Sequence, residues 1–545
     1  MSHLLQQRFF GQVYCPWFWD ATSNKATILV SLFVIFLVSR IIRYYQGLKV
    51  VNNHPGFRVP FDPLSLLGII TPRTWWNPGH FFTWHDRLQL YEQYGTDTIS
   101  VVPFVYGSPS FYTSNLEIIR QIAPSGPNAG FIKPLIGSRA LLLWGMNIFS
   151  ANGETWRRHR RVTGPAFNNN LYAHVFDKSV AMYHSMVISE KWTSREEVDI
   201  PVFQDLSRQF TLLIIQACGF GVNFDWTTAS EDKDGSMSLW EAMGIVADST
   251  LVATIAPWLM ALPFARFRKM RAAYKMLEGF MKEQTAERKH LLKSNAGESE
   301  LGKDVFTLLV QANEDESAKH KLNDRELIGN VYVMLFAGHE TTATALAATI
   351  GFMALHQDIQ HEILEQIELI VGSDRNPTFE DYPKLNKVHA ALLEAIRMFP
   401  PGFVLIRQAV QDTVFKVQNP ACQDGLTTLP IRKGTMVIAN IIGLQYNSKY
   451  YDEPEKYKPS RWYGLETESE AFTGFSIGAR ACIGRKFATT EGVAFLTMLL
   501  RDWHIAPLLR PEENKENWRA RVLDAKVVLT LQINDVAVKL TKRQR

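Results

Sequence analysis

Cys482 stands in the stretch FSIGARACIGRKFA (residues 475–488), between two glycines and two arginines, and is one of four cysteines in 545 residues. Cys15, Cys218 and Cys422 lie too far off for a zinc pattern, and four cysteines are too few for a disulfide framework. Such usage fits a reducing compartment. The next run, IGRKFATTEGVAFLTMLL, is a good helix former to Leu500. The sulfur then stands at a helix N-terminus, where the dipole and free N–H groups lower a thiol's pKa and favour the thiolate. Gly478 and Gly484 remove side chains where a flat, bulky group must approach the backbone, and Arg480 offers a forked donor to a carboxylate. Together these describe haem ligation, with iron on sulfur and a propionate on Arg480. The plainer alternative is a packed thiol, the usual state of a free cysteine.

Upstream, FAGHETT (residues 336–342) lies inside a long helical run, with Ala337 and Thr341 on one face at i, i+4. Gly338 thins that helix so that a small ligand could lie against it. On the residues alone, hydroxyls bonded back to the helix's own carbonyls explain the Thr-rich run equally well. In LLEAIRMFPP, Glu394 and Arg397 sit three apart, close enough for an ion pair. In ETWRRHRRVTGPAF, Trp156 and Arg160 are four apart; Arg157, Arg158 and Arg161 read as a charged solvent face.

Phe475, Gly478, Arg480, Cys482 and Gly484 reproduce F-x-x-G-x-R-x-C-x-G in full, and on this signature the chain resembles the cytochrome P-450 superfamily, of membrane-anchored microsomal type and fungal-like texture. The other stretches fall in that family's order. The resemblance implies a mainly α fold with a smaller β region (α+β), a triangular helical domain around a buried haem. It implies haem b (iron protoporphyrin IX) with Cys482 as axial thiolate. Glu340 and Thr341 become the acid and alcohol that organise water and deliver protons, beside Ala337 at the haem. Trp156 and Arg160 become propionate partners, with Arg407 a third. Glu394, Arg397 and Arg461, from YKPSRW, become a structural triad locking the cysteine loop. The chain departs from the pattern in having Ser460 where the family often carries Glu.

The implied activity is a monooxygenase that inserts one oxygen atom from O2 into a lipophilic small molecule. A terpenoid, sterol, fatty acid or aromatic natural product of secondary metabolism would suit it. Phe403, Val404, Leu405, residues 131–148 and a C-terminal hairpin would line the pocket. No G-x-G-x-x-G follows a strand, so electrons come from another protein. By likeness this is an NADPH-cytochrome reductase, with a cytochrome b-type donor assisting. Arg157, Arg158, Arg161, Arg485 and Lys486 offer an acidic donor a basic face. Two other readings stand beside this one: a reductase-independent isomerase or dehydratase of the same fold, and a non-catalytic haem-binding membrane protein.

The elements that position these residues begin with ATILVSLFVIFLV (residues 26–38), an uncharged run flanked by aromatic residues before and Arg40, Arg43 and Lys49 after. It predicts a transmembrane helix over about 21–42 within a 1–45 anchor, with Lys25 and Arg40 snorkelling. The basic excess after it places the catalytic body in the cytosol, on a single-pass endoplasmic reticulum anchor. A proline-containing hinge is expected at 46–63 and the catalytic domain at 64–545. Helical periodicity dominates from about Asn115 to Phe399, and short strands come after Pro400. Asn534-Asp535 could turn the final hairpin. A formal net charge of +4, with 21 % charged residues, gives no global basic field for nucleic acid.

Overall fold

The computed structural model describes residues 17–124, 130–223, 225–227, 237–255, 257–294, 303–315, 320–418, 425–464, 471–527 and 530–544. Cys15, Cys422 and most of the polar stretches 229–236 and 293–304 lie outside the described residues. Two units divide the chain: Met1–His80 with Ser100–Ser110, and Phe81–Ile99 with Phe111–Arg545.

In the first unit, α1 (Trp17–Val50) runs 34 residues, or about 51 Å at about 1.5 Å per residue. It is longer than the span of 21–42 read from the sequence. Its segment Lys25–Val50 is long and apolar enough to cross a membrane, and none of its most apolar window is buried by protein. Ile28, Leu29, Phe33 and Ile35 are exposed, where water would be costly and hydrocarbon would not. The C-terminal half is fastened: Arg40 Nη1 donates to Val105 O at 2.7 Å. Residues 56–61 of the expected hinge form β1 (Gly56–Phe61), parallel to β2 (Thr98–Tyr106). At Gly56 φ is +147°, and a Cβ would meet Ser100 O at 2.0 Å, so only glycine fits. The register slips between Val59 and Phe61, at Pro60, which has no N–H to give the ladder.

The longer helices of the second unit are α2 (Gly153–Thr163), α3 (Asn169–Ser189), α4 (Phe203–Ile214), α5 (Leu239–Ile255), α6 (Ala265–Lys293), α7 (Val305–Glu314), α8 (Asp324–Leu355), α9 (Gln357–Ile370), α10 (Asn386–Met398), α11 (Arg485–Asp502) and α12 (Lys515–Val522). A π-turn over Ile215–Gly219 prolongs α4. At the centre is α8, packed against α4, α10 and α11. A capping box fixes its start: Glu326 N–H donates to Asn323 Oδ1 at 2.9 Å, and Asn323 N–H to Glu326 Oε2 at 3.1 Å.

The strands are β3 (Ser110–Thr113), β4 (Phe131–Ile132), β5 (Glu197–Ile200), β6 (Val404–Ala409), β7 (Thr413–Gln418), β8 (Leu426–Ile431), β9 (Met436–Asn440), β10 (Trp503–Pro507), β11 (Ala525–Val527), β12 (Leu531–Ile533) and β13 (Val538–Lys542). They pair in the orders β3-β9-β6-β4, β10-β13-β5, β7-β8 and β11-β12. With 54% helix and 14% strand the chain is mainly α with a smaller β region, as the sequence predicts.

The C-terminal hairpin differs from the expectation. Asn534-Asp535 does not turn a hairpin: β12 pairs back with β11, whereas β13 is taken by β10 and β5. The polar pair instead closes a crossing between sheets, where Asn534 N–H donates to Asp524 O at 2.9 Å and Gln204 Nε2 to Asn534 O at 2.6 Å.

Candidate active site

The cysteine loop is built by its own backbone. Ser476 N–H donates to Thr473 O, Ala481 N–H to Gly478 O and Cys482 N–H to Phe475 O, at 2.8, 3.0 and 2.8 Å. Gly478 has φ +67°, the left-handed region that favours glycine, and Gly484 caps α11 two residues after the sulfur. Cys482 carries accessible surface although burial is the largest influence on its thiol. Both hold for a side chain that faces a cavity inside the protein. Burial raises the thiol pKa, while the Gly484 N–H, Arg160 and Arg485 pull it down in the direction expected at a helix terminus. Burial outweighs them, so the net shift is upward. The helix dipole alone would predict a thiolate; desolvation opposes it, and a cation bound at the sulfur is what tips such a thiol to thiolate.

Around this loop the fold collects cations. Arg407, on β6 opposite Val437, is buried. Arg480 Nη2 donates to Ala151 O at 2.6 Å and Asn152 Oδ1 at 3.2 Å, and its guanidinium lies 4.7 Å from the Trp156 ring centroid. Asn152 also clasps both backbone groups of Lys133, at 3.0 and 2.8 Å. Burial and then Arg407 push Arg480 down to about 10. Burial, then Arg407 and Arg480, push Lys133 well below the ordinary lysine range. An anion placed among the three would relieve both effects. Burial lowers Arg160, against the opposing pull of Cys482 and Tyr172. Motif reading finds neither Lys133 nor Asn152, because their meeting with Arg480 joins three separate elements.

The expected triad forms. Glu394 takes Arg397 Nε and Nη2, both at 2.9 Å, and Arg461 Nε at 3.0 Å. Trp462 Nε1 and Lys458 N–H add donors at 2.9 and 3.1 Å. Glu394 and Arg397 are wholly buried. Arg397 Nη1 then donates to Gln445 O at 2.7 Å, and the Gln445 amide to Ala471 O and Thr473 Oγ1 at 3.1 and 2.9 Å. Thr473 opens the cysteine loop, so a chain of hydrogen bonds links triad to loop.

In α8, Ala337 and Thr341 keep accessible surface amid a mostly buried helix, and Thr341 Oγ1 donates to Ala337 O at 2.7 Å. Gly338 does not open a ligand face: a Cβ there would lie 2.9 Å from Ile215 Cδ1. The missing side chain lets the π-turn after α4 pack close. Glu340 Oε1 accepts from Gln532 Nε2 at 2.6 Å and Thr530 Oγ1 at 2.9 Å, both on the β11–β12 hairpin. The arginines after Trp156 are not one solvent face. Arg157 pairs with Glu154 at 2.6 Å, whereas Arg158 reaches Glu326 of α8 at 2.5 Å.

The cytochrome P-450 family profile matches residues 72–530. Cytochrome P-450 monooxygenase 124 of Postia placenta is 32% identical over 512 residues, covering 92% of this chain and 96% of that protein. The chain is a cytochrome P-450. The cytochrome P-450 fold is seen again in the cytochrome P-450DA heme domain, whose crystal structure covers 89% of this chain and 98% of its own at a TM-score of 0.68 and 21% identity. A cyclooctat-9-en-7-ol 5-monooxygenase of Streptomyces melanosporofaciens is 27% identical over 406 residues, 74% of this chain and 81% of that protein. This cytochrome P-450 is therefore a monooxygenase with a haem-thiolate cofactor that uses O2 and electrons from redox partners. An accessible cysteine in the field of Arg160 and Arg485, with the buried Arg407 and the half-buried Arg480 and Lys133 gathered around its loop, fits a group that brings a metal to the sulfur and carboxylates to the cations.

Proposed function

We propose that the chain hydroxylates a lipophilic small molecule, a terpenoid, sterol, fatty acid or aromatic natural product, with electrons passed from NADPH by a separate reductase. The observation that carries this is the accessible Ala337–Thr341 face on a mostly buried helix, in a fold whose only exposed cysteine among the described residues is Cys482. Cys482 would hold the haem iron. Arg480, Arg407, Trp156, Arg160 and Lys133 would hold the propionate edge, with Phe475, Gly478 and Gly484 shaping the loop beneath and Ala337 lying above. Bound there, the haem supplies the activation of molecular oxygen.

The remaining work falls to side chains of this chain. Thr341 gives its hydroxyl proton to Ala337 O, so its lone pairs are left to accept from a water in the cavity. Glu340, next in the helix, hands protons to that water. The half-buried Phe403, Val404 and Leu405 offer apolar walls that hold a substrate and exclude solvent. The intact Glu340–Thr341 pair favours oxygen activation over a reductase-independent rearrangement.

Exposed α1 supports a single-pass anchor in the endoplasmic reticulum membrane with the body facing the cytosol, since Arg40, Arg43 and Lys49 come after the apolar run. An NADPH-cytochrome reductase in the same membrane, assisted by a cytochrome b-type donor, would dock against Arg157, Arg161, Arg485 and Lys486. Of these Lys486 sits among the Tyr172, Phe379 and Tyr382 rings at 5.5–6.0 Å and is packed as well as charged.

The test is reconstitution with NADPH and a reductase in lipid nanodiscs against a panel of lipophilic compounds chosen by Soret shift. Label from 18O2 should enter a product. Soret-shifting compounds that are converted without NADPH, or without label, would overturn the proposal.

A further inference from the structure

The acid of the central helix is held by a part of the chain that its motif does not include. Glu340 Oε1 receives two donors, Gln532 Nε2 at 2.6 Å and Thr530 Oγ1 at 2.9 Å. Gln532 is itself oriented, because Arg208 Nη2 on α4 donates to its Oε1 at 3.3 Å. Only an amide with its oxygen towards Arg208 and its nitrogen towards Glu340 satisfies both contacts. Gln532 and Thr530 are buried, so water competes weakly for these bonds. The hairpin that carries them is tied at its turn end, where Leu531 N–H donates to Pro401 O at 3.1 Å. Next along α8, His339 is pinned in its turn: its Nδ1 lies 3.1 Å from Leu335 O, and its carbonyl accepts from Thr211 Oγ1 at 2.9 Å. Backbone and side chain at 339–340 are thus fixed from α4 on one side and the hairpin on the other.

We propose that Gln532 and Thr530 are positioning residues for the proton-delivering carboxylate of Glu340, and that the β11–β12 hairpin, backed by Arg208, sets where that carboxylate rests during turnover. The inference depends on the role given above to Glu340. Without the two donors the carboxylate swings freely, and proton transfer depends on its placement within fractions of an ångström. Electrons are then spent on peroxide release while the substrate still binds.

The experiment uses the full-length haem protein with reductase and NADPH, and measures product per NADPH, hydrogen peroxide, KM and the solvent deuterium isotope effect. Gln532→Leu and Thr530→Val, which keep the volume and remove the donor, should each lower product per NADPH about three- to tenfold. Peroxide should rise, KM should stay within twofold, and the isotope effect on product formation should increase. Thr530→Ser, which restores the hydroxyl, should recover wild-type coupling. Thr530→Val serves if Gln532→Leu fails to retain its haem spectrum. Coupling and isotope effect unchanged in a spectrally intact variant overturn the proposal, as does a loss confined to KM. Glu340→Gln separates the two levels. If it uncouples the enzyme while the hairpin variants do not, only this inference fails; if Glu340→Gln is itself fully coupled, the acid's assigned role falls with it.

Discussion

Replacing Glu394 by Ala removes a carboxylate with five donors, from Arg397 twice, Arg461, Trp462 and Lys458. The cost is set less by the lost bonds than by the charge that stays behind. The Arg397 side chain has no exposure at all, and an uncompensated buried charge costs about 3–5 kcal/mol. Arg461→Ala is the natural comparison. Its side chain is 12% exposed, and its guanidinium also rests on Asp452 O and Glu453 O at 2.6 and 3.0 Å. Its loss leaves the bidentate Glu394–Arg397 pair intact, so the cost should be about 1–2 kcal/mol. Urea unfolding monitored by tryptophan fluorescence, with Trp462 inside the network, measures both changes. Haem retention reports whether the cysteine loop loosens through Gln445 and Thr473. Glu394→Ala should exceed Arg461→Ala by about 2 kcal/mol or more and release haem at lower urea. Equal costs, or a cost under about 1 kcal/mol for Glu394→Ala, would refute the claim that this triad locks the loop.

Thr341→Ala should leave NADPH consumption running while product per NADPH falls several-fold; stability should drop by no more than about 1 kcal/mol, since the proton of the hydroxyl goes to Ala337 O of its own helix. His389 is pushed down to about 4 by burial, with Arg485 and Lys486 adding to it. A depressed histidine adds stability that is complete above about pH 6.5 and is lost as the pH falls towards 4, about 3 kcal/mol in all. His389→Phe should therefore flatten the fall in urea midpoint over that window, and an unchanged slope would count against the assignment. Removal of residues 1–45 should shift the protein from pelleted membranes to the supernatant with its haem spectrum intact.

How far the sequence can be read depends on how local each feature is. Cys482, Gly484 and the start of α11 lie within a few residues, and so do Glu394 and Arg397, so spacing alone places them correctly. The triad's third member needs a family pattern, and Trp462 and Gln445 need the fold. The cluster of Lys133, Arg407 and Arg480 draws on three segments, and no periodicity brings them together. Gly338 reads as a ligand face because its actual neighbour, Ile215, comes from another helix. The clamp on Glu340 spans 190 positions. Strand pairing misleads for the same reason: β13 looks like the second arm of a local hairpin until distant β10 and β5 claim it. Desolvation of Cys482 is equally invisible, because a dipole can be read from a helix start and burial cannot.

Every role assigned above at the haem site presupposes that the sulfur of Cys482 binds the haem iron, and the carbon-monoxide difference spectrum of the reduced Cys482→Ser protein probes that bond without intermediaries. The parent protein should show the band typical of thiolate haem, and the substitution should abolish it. A Cys482→Ser protein that keeps the band would show that the iron is held elsewhere.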